Sequence, residues 1–383
     1  MIDGSIIGYD GKRAVLNFTG LGNYSRLIIE SVADALPHAQ LRVYTPCTSD
    51  NPRLRPMLSH PNVALCTPTG RMWQHLRPVW RSYGITSQLK NDKVALYHGL
   101  SGELPLNIVK AGIPTVVTVH DLIFRRHPEY YKPIDRTIYD YKFRRACHDA
   151  TRIIAISERT KLDIIEYYGT DPSKIDVIYQ GCDPQFTRDV PDDEINNIKS
   201  IYQLPDRYIV SVGTVEERKN QLLAVKALPL LPTDIKLVIV GRKTPYAATI
   251  QAYANSHGLS HRIIMIDNAP FAHLPALYAG AVASTYTSRY EGFGIPVIES
   301  IGVGTPCVVA TGSCLEEAGG PHTPAVDPDA PEALAQALNG IIDGTSADIA
   351  LLRNYIKRFN ATDFTHQIIE TYQKAITQYG QRQ

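Results

Sequence analysis

Short apolar runs rich in Val, Ile, Leu and Tyr recur along the chain. Each is followed by a longer stretch in which apolar residues return every three or four positions. This alternation predicts strands and amphipathic helices in turn, the pattern of a parallel sheet wrapped by helices. In the first half, strands are predicted at 5–9, 40–44, 62–65, 94–97, 115–119, 152–155 and 176–179. Helices such as 25–36, 134–147 and 158–168 fall between them. After Gly181 the chain turns polar and acidic through Arg188-Asp189-Val190-Pro191-Asp192-Asp193-Glu194, which reads as the start of a linker. The alternation then restarts, with strands predicted at 208–212, 235–240, 262–266, 283–286 and 306–310. A closing helix is predicted over 363–379, where Ile368, Ile369, Tyr372 and Ile376 keep helical spacing.

Two such arrays in series predict an α/β fold of two Rossmann-like, doubly wound parallel-sheet domains. The expected division is 1–186, a linker over 187–205, a second domain over 206–360 and a closing helical segment over 361–383. A ligand cleft is expected between the carboxyl ends of the two sets of strands. Length supports this, since 383 residues are too many for one core.

Composition changes the picture little. Hydrophobic residues make up 44% and charged residues 20%, and the net charge of +1 gives no global reason to expect nucleic acid as a partner. The charge is uneven, however. Residues 1–186 hold 23 Lys and Arg against 18 Asp and Glu, and the remainder 16 against 20. The six cysteines form no C-x-x-C pair, so reduced thiols are expected rather than a zinc site or disulfide framework. No stretch approaches the ~18 consecutive apolar residues of a membrane span. A cytoplasmic protein is expected, with at most peripheral contact at the inner face of a membrane.

The richest stretch for chemistry is Ser288-Arg289-Tyr290-Glu291-Gly292-Phe293-Gly294-Ile295-Pro296-Val297-Ile298-Glu299. It follows a predicted strand, its glycines allow close backbone approach, and Pro296 suits the first turn of a helix. Glu291 and Glu299 would then accept from ligand hydroxyls on two sides. A second stretch, Gly213-Thr214-Val215-Glu216-Glu217-Arg218-Lys219-Asn220, ends the first strand of the second domain. Asn220 is a plausible N-cap for a helix over 221–228, which would put Arg218 and Lys219 where they could neutralise a diphosphate.

Thr19-Gly20-Leu21-Gly22-Asn23-Tyr24 superficially matches a dinucleotide fingerprint. The third glycine is missing and the preceding strand ends well upstream, which argues against NAD. His120, in Val119-His120-Asp121-Leu122, sits at the carboxyl end of a predicted strand, where cleft residues are expected; a structural role is weighed equally. His98 shares that placement with a weaker claim. Asp327-Pro328-Asp329 mimics a D-x-D metal motif but reads as loop and cap, so no metal is expected. Trp73, Leu76, Trp80 and Tyr83 share one helical face among Arg71, Arg77 and Arg81. A core-facing stripe is the preferred reading there over a membrane-surface helix.

Taken together, these segments resemble retaining glycosyltransferases of family 4, which have the GT-B fold, and in particular their mannosyltransferase-like branch. Tyr290-Glu291-Gly292-Phe293-Gly294 through Glu299 is similar to that family's E-x7-E element. Further matches are Gly20-Leu21-Gly22-Asn23-Tyr24, Val119-His120-Asp121-Leu122, His127-Pro128-Glu129-Tyr130, Ala155-Ile156-Ser157-Glu158, Gly213 to Asn220 and Gly304-Thr305-Pro306. The resemblance runs from about residue 4 to 380. It implies that Lys219 with Arg218 holds the donor diphosphate, that Glu299 binds the ribose, and that Glu291 binds hydroxyls of the transferred sugar. Backbone groups of Gly292, Phe293 and Gly294 would meet that sugar, with Ile295 beside them. His120 would lie near the sugar's C6 end, while Gly20, Gly22 and Gly213 approach the donor. The closing helix would pack back on the first domain.

Three positions depart from the family pattern. Thr214 stands where many members carry arginine, Glu316 replaces the proline of an S-S-L-P-E segment, and Tyr179-Gln180-Gly181-Cys182-Asp183 replaces N-P-G-V-D. The expected activity is metal-independent, retaining transfer of a hexose, preferentially mannose from GDP-mannose, to a glycan or lipid-linked glycan hydroxyl. No cofactor is expected beyond the nucleotide-sugar co-substrate. A GT-B-type sugar-nucleotide epimerase and a non-catalytic nucleotide-sugar- or glycan-binding descendant are the alternatives.

Overall fold

The structure, a computed structural model, describes residues 2–381. Arg382 and Gln383, the end of the segment assigned to the closing helix, lie outside the described residues. The chain divides into two compact units, one of Met1–Gln180 with Ala361–Gln383 and one of Gly181–Asn360.

The first unit is built on a seven-stranded, all-parallel sheet. Its strands are β1 (Ile6–Asp10), β2 (Gln40–Tyr44), β3 (Val63–Cys66), β4 (Leu96–Gly99), β5 (Thr115–Val119), β6 (Arg152–Ala155) and β7 (Ile175–Val177), in the order β3-β2-β1-β4-β5-β6-β7. Every residue of β5 and β6 is buried, because helices cover both faces of a parallel sheet. The β-branched residues of Thr115-Val116-Val117-Thr118-Val119 suit that doubly packed surface. The order reverses between β1 and β4, so the ligand-binding crevice of this sheet is expected at their carboxyl ends.

Two expectations for this unit are corrected. The helix predicted from Ser25 begins at Gly20 and runs to Ala35, so Gly20 and Gly22 lie in its first turns rather than in a preceding loop. The buried row Tyr24, Ile28, Ile29, Val32 and Ala33 carries the helical pattern back to that start, and the Ser25 hydroxyl donates to the Leu21 carbonyl at 2.7 Å. The stripe at 73, 76, 80 and 83 is not a core-facing helix. The backbone breaks into helices Arg71–His75 and Arg77–Val79 and a π-turn Trp80–Gly84, with Pro78 removing a helical N–H donor. Trp80 alone of the four is buried. The closing helix, Ala361–Gly380, packs in this unit. Tyr372 meets His98 at 2.7 Å, and Phe364 lies edge-on to Tyr24.

The second unit carries a six-stranded parallel sheet. Its strands are β8 (Tyr208–Val212), β9 (Lys236–Val240), β10 (Ile263–Ile266), β11 (Ala283–Tyr286), β12 (Cys307–Ala310) and β13 (Ala325–Val326), in the order β10-β9-β8-β11-β12-β13. The segment read as a linker over 187–205 is in part a helix, Asp192–Tyr202, that buries Ile198 and packs on the helix Leu274–Ala279. Its acidic run starts that helix: Asp192, Asp193 and Glu194 fill the first turn, where the dipole favours negative charge, behind Pro191 at the N-cap position. The two-residue strand β13 has no apolar run long enough to announce it. The sheet order again reverses, here between β8 and β11, and the loops after these two strands carry the candidate site.

Candidate active site

Behind β8, Gly213 turns the chain at φ +146°, a conformation that side chains other than glycine rarely adopt. A Cβ there would stand 3.0 Å from Lys219 Cδ, so the glycine also leaves room for the lysine stem. A single 3-10 turn, Glu217–Lys219, follows, and Asn220 closes it in the left-handed region at φ +56°. Asn220 occupies the N-cap position of the helix Gln221–Ala227, but its side chain does not cap it. Instead its Nδ2 donates to the carbonyls of Thr287 at 3.2 Å and Pro328 at 2.7 Å, pinning this loop to those after β11 and β13.

That pinning brings Arg218 and Lys219 onto Glu291. Lys219 Nζ lies 2.7 Å from Glu291 Oε1, and Arg218 Nη1 lies 2.8 Å from Glu291 Oε2. Arg218 also donates to the Tyr290 carbonyl and to Glu216, each at 2.6 Å. Tyr286, the last residue of β11, completes the cluster. It accepts from Lys219 at 2.6 Å, donates to Glu291 at 3.0 Å, and holds the ammonium 5.0 Å from its ring centroid. Sequence reasoning missed Tyr286 and Glu216. The only available signal was a tyrosine closing a strand that runs into the glutamate loop.

Burial pushes the Glu291 carboxyl up, but the Lys219 and Arg218 charges outweigh it and hold the group at about 2. Burial likewise works against the Lys219 and Arg218 charges, and Glu291 reverses it, so both cations rise above their usual values. Two positive charges, on Lys219 and Arg218, are therefore fixed against two carboxylates, Glu291 and Glu216, at the switch point of the sheet. Paired cations of this kind suit a diphosphate that takes over part of the carboxylates' hold.

The helix Ile295–Gly302 starts just beyond Glu291, with Gly294 at its N-cap position. Phe293 turns into the core, packing edge-on to Phe359 at 5.2 Å, while Gly292 stays half-buried. One turn further, Glu299 is buried and receives the Tyr278 hydroxyl at 3.4 Å. Burial raises its carboxyl to about 8, against a smaller opposing effect of that hydrogen bond. Asp327 and Asp329, read as loop and cap, lie in a turn: Asp327 accepts from the Asp329 N–H and Asp329 pairs with Arg289, but neither caps the helix Pro331–Ile342, which has Ala330 at its N-cap position and no side-chain cap. Among the described residues, no three His, Cys, Asp or Glu side chains gather as a metal site.

In the first unit His120 follows β5 and is buried. Its Nε2 lies 2.9 Å from the Leu100 carbonyl, and its ring stands edge-on to Tyr24 at 4.6 Å. Burial lowers its pKa to about 4, only partly opposed by that carbonyl, so the ring is neutral at physiological pH. His98 is enclosed between Tyr372 and Thr118 and is held lower still, at about 3, chiefly by burial. It is a core residue. Gly22 packs so tightly that a Cβ would fall 1.7 Å from the Asn17 carbonyl oxygen, whereas Gly20 faces open space. The Gly22 N–H already donates to Thr19 and to the Asn17 side chain, so steric fit accounts for this glycine.

Residues 27–186 match Glycosyltransferase Family 4, and residues 193–359 match the glycosyl transferases group 1 family. The O-antigen chain mannosyltransferase B of Escherichia coli is 26% identical over 372 residues, spanning 92% of this chain and 96% of that protein. The O-antigen chain mannosyltransferase RfbU of Salmonella typhimurium is 26% identical over 246 residues, 64% of this chain and 65% of that one. Among solved structures, Anabaena HepE in complex with UDP and glucose aligns with a TM-score of 0.75 at 20% identity, covering 96% of this chain and 98% of that one. A glycosyltransferase from Rickettsia africae aligns at 0.76 and 15% identity, covering 98% and 99%. At such identities the structural likeness speaks for the fold, and the sequence matches speak for the family. The chain is a glycosyltransferase of family 4 with the GT-B fold.

Proposed function

We propose that this enzyme transfers mannose from GDP-mannose to a hydroxyl of a glycan or lipid-linked glycan, with retention at the anomeric carbon and without a metal ion. The observation that carries the reading is the Arg218–Lys219–Glu291 cluster at the switch point of the second sheet. The mannose assignment draws on the relatives described as O-antigen chain mannosyltransferases. Polysaccharide assembly on the cytoplasmic side of a membrane, with peripheral contact at most and no nucleic acid, follows from the same reading.

In this mechanism Arg218 and Lys219 take the diphosphate, supplying the positive charge that a metal ion provides in other transferases. Glu291 exchanges part of its hold on these cations for the hydroxyls of the transferred sugar. Gly292, Phe293, Gly294 and Ile295 lie against that sugar, Gly213 opens the loop to the phosphates, and Glu299 takes the ribose. In the first unit, the family resemblance assigns neutral His120 to the sugar and Gly20 and Gly22 to the donor. The bond from the anomeric carbon to the diphosphate oxygen breaks, the acceptor oxygen bonds to the same face, and its proton passes to the departing diphosphate oxygen. No side-chain nucleophile is required.

The test is product analysis after incubation with GDP-mannose, EDTA and a mannose-terminated oligosaccharide. An α-linked product formed only with the acceptor present supports the proposal. A β-linked product, or a new sugar nucleotide formed without acceptor, contradicts it.

A further inference from the structure

Between residues 51 and 91 the chain carries six basic residues, Arg53, Arg55, Arg71, Arg77, Arg81 and Lys90, and no aspartate or glutamate. Arg81 turns inward, where it pairs with Asp10 and Glu103. Arg71 and Arg77 are exposed and form no ion pair among the described residues. Between and beside them Met72 is 59% exposed, Leu76 47%, Val79 44% and Tyr83 50%. Burying such side chains is favourable, yet this stretch keeps four of them largely in solvent. A second apolar row adjoins it. Glu103 accepts from both Arg81 at 2.6 Å and Lys142 at 3.1 Å, tying the segment to the helix Pro133–Asp149. That helix exposes Ile134, Ile138 and Tyr141, which share one face.

We infer that the 70–83 segment of the first unit docks on the surface of an anionic lipid bilayer. Arg71 and Arg77 meet headgroup phosphates, and Met72, Leu76, Val79 and Tyr83 enter the interfacial apolar layer. Apolar side chains flanked by lone arginines match that layered chemistry. A second copy of this face would set arginine against arginine, and a nucleic acid backbone offers nothing to Met72, Leu76 or Val79. This inference goes beyond the proposed reaction and does not need it, so vesicle binding and turnover can fail separately.

The test is co-sedimentation of the full-length protein with vesicles of phosphatidylglycerol and phosphatidylcholine in equal parts, against vesicles of phosphatidylcholine alone. Binding to the anionic vesicles is expected, with a loss of about fivefold for each of Arg71→Gln and Arg77→Gln. Leu76→Ser combined with Val79→Ser should release the protein at moderate salt, with the unfolding midpoint unchanged because these side chains are exposed. The chain's two tryptophans are Trp73 and Trp80, so insertion can be read directly. Half-buried Trp73 should be quenched by brominated acyl chains and buried Trp80 spared. Three results overturn the inference: no binding to anionic vesicles, binding that all four substitutions leave intact, or a protein dimer that the same substitutions dissolve.

Discussion

Lys219 and Glu291 form an ion pair at 2.7 Å with each side chain only 13% exposed, and this pair joins the loop after β8 to the loop after β11. Seventy-two residues separate the partners in sequence. The sheet order brings them together, since β8 and β11 are neighbours at the point where the chain changes direction. Before any ligand arrives, the carboxylate holds the ammonium and the guanidinium in one place. A diphosphate then meets preset charges and no loop has to order around it, which is how a site limits reorganisation during reaction.

Tyr286 is the third member of this arrangement, placed so that its hydroxyl bridges the two ions. Tyr286→Phe keeps the ring against the lysine and removes only the bridge. Turnover should fall about tenfold, one hydrogen bond to charged groups being worth ~1.5 kcal/mol. The Michaelis constant for donor should change less, because the phosphate cations remain. Steady-state kinetics with the unfolding midpoint measured in parallel check this. A lower unfolding midpoint for Tyr286→Phe without a change in turnover would leave Tyr286 a packing residue.

Glu299 should make donor affinity depend on pH. Its carboxyl titrates at about 8 in the free protein because it is buried. Ribose hydroxyls that donate to it favour the ionised form, so the pKa falls in the complex and binding releases a proton below pH 8. Affinity for GDP-mannose, whose diphosphate diester does not titrate in this range, should therefore climb as pH rises from 6 toward 8, by at most about tenfold per pH unit, and level off above. Titrations across that window should show the slope in the wild type and none in Glu299→Gln. A flat wild-type profile contradicts the ribose role.

Gly22 and Gly20 should respond in opposite ways to alanine. At Gly22 the new Cβ would fall 1.7 Å from a backbone oxygen, and the shift this forces should cost about 1–3 kcal/mol. At Gly20, in the first turn with nothing within 4 Å, alanine should be neutral or add up to ~0.5–1 kcal/mol. Urea unfolding of the two variants decides it. Comparable destabilisation by both would mean that the helix start itself demands glycine.

Much of the fold was legible in the sequence. The predicted bounds of β2, β5, β6, β8, β11 and the helix Glu158–Tyr168 coincide with those observed, because each is an apolar run or stripe closed by a turn residue. Elements without such a signal were misread. The helix Asp192–Tyr202 buries one residue, Ile198, and its acidic start looked like linker. The 73–83 stripe has helical spacing, but Pro78 interrupts the backbone that spacing presupposes. At the site, Glu291, Lys219 and Arg218 stood out through the motifs they belong to. Tyr286 and Glu216 did not, because their partners are set by how two loops meet.

The most direct test of the diphosphate assignment is calorimetric titration of the wild type and of Lys219→Ala with GDP-mannose, GDP, UDP and ADP in the presence of EDTA. GDP and GDP-mannose are expected to bind the wild type best. Lys219→Ala should bind them about thirtyfold more weakly, as loss of a charge-assisted phosphate contact implies. Its unfolding midpoint should fall as well, since Glu291 keeps Arg218 but loses one of its two cations, so binding is compared at a temperature where the variant is folded. Undiminished binding by a folded Lys219→Ala would contradict the assignment, and preference for another nucleotide would overturn GDP-mannose as donor.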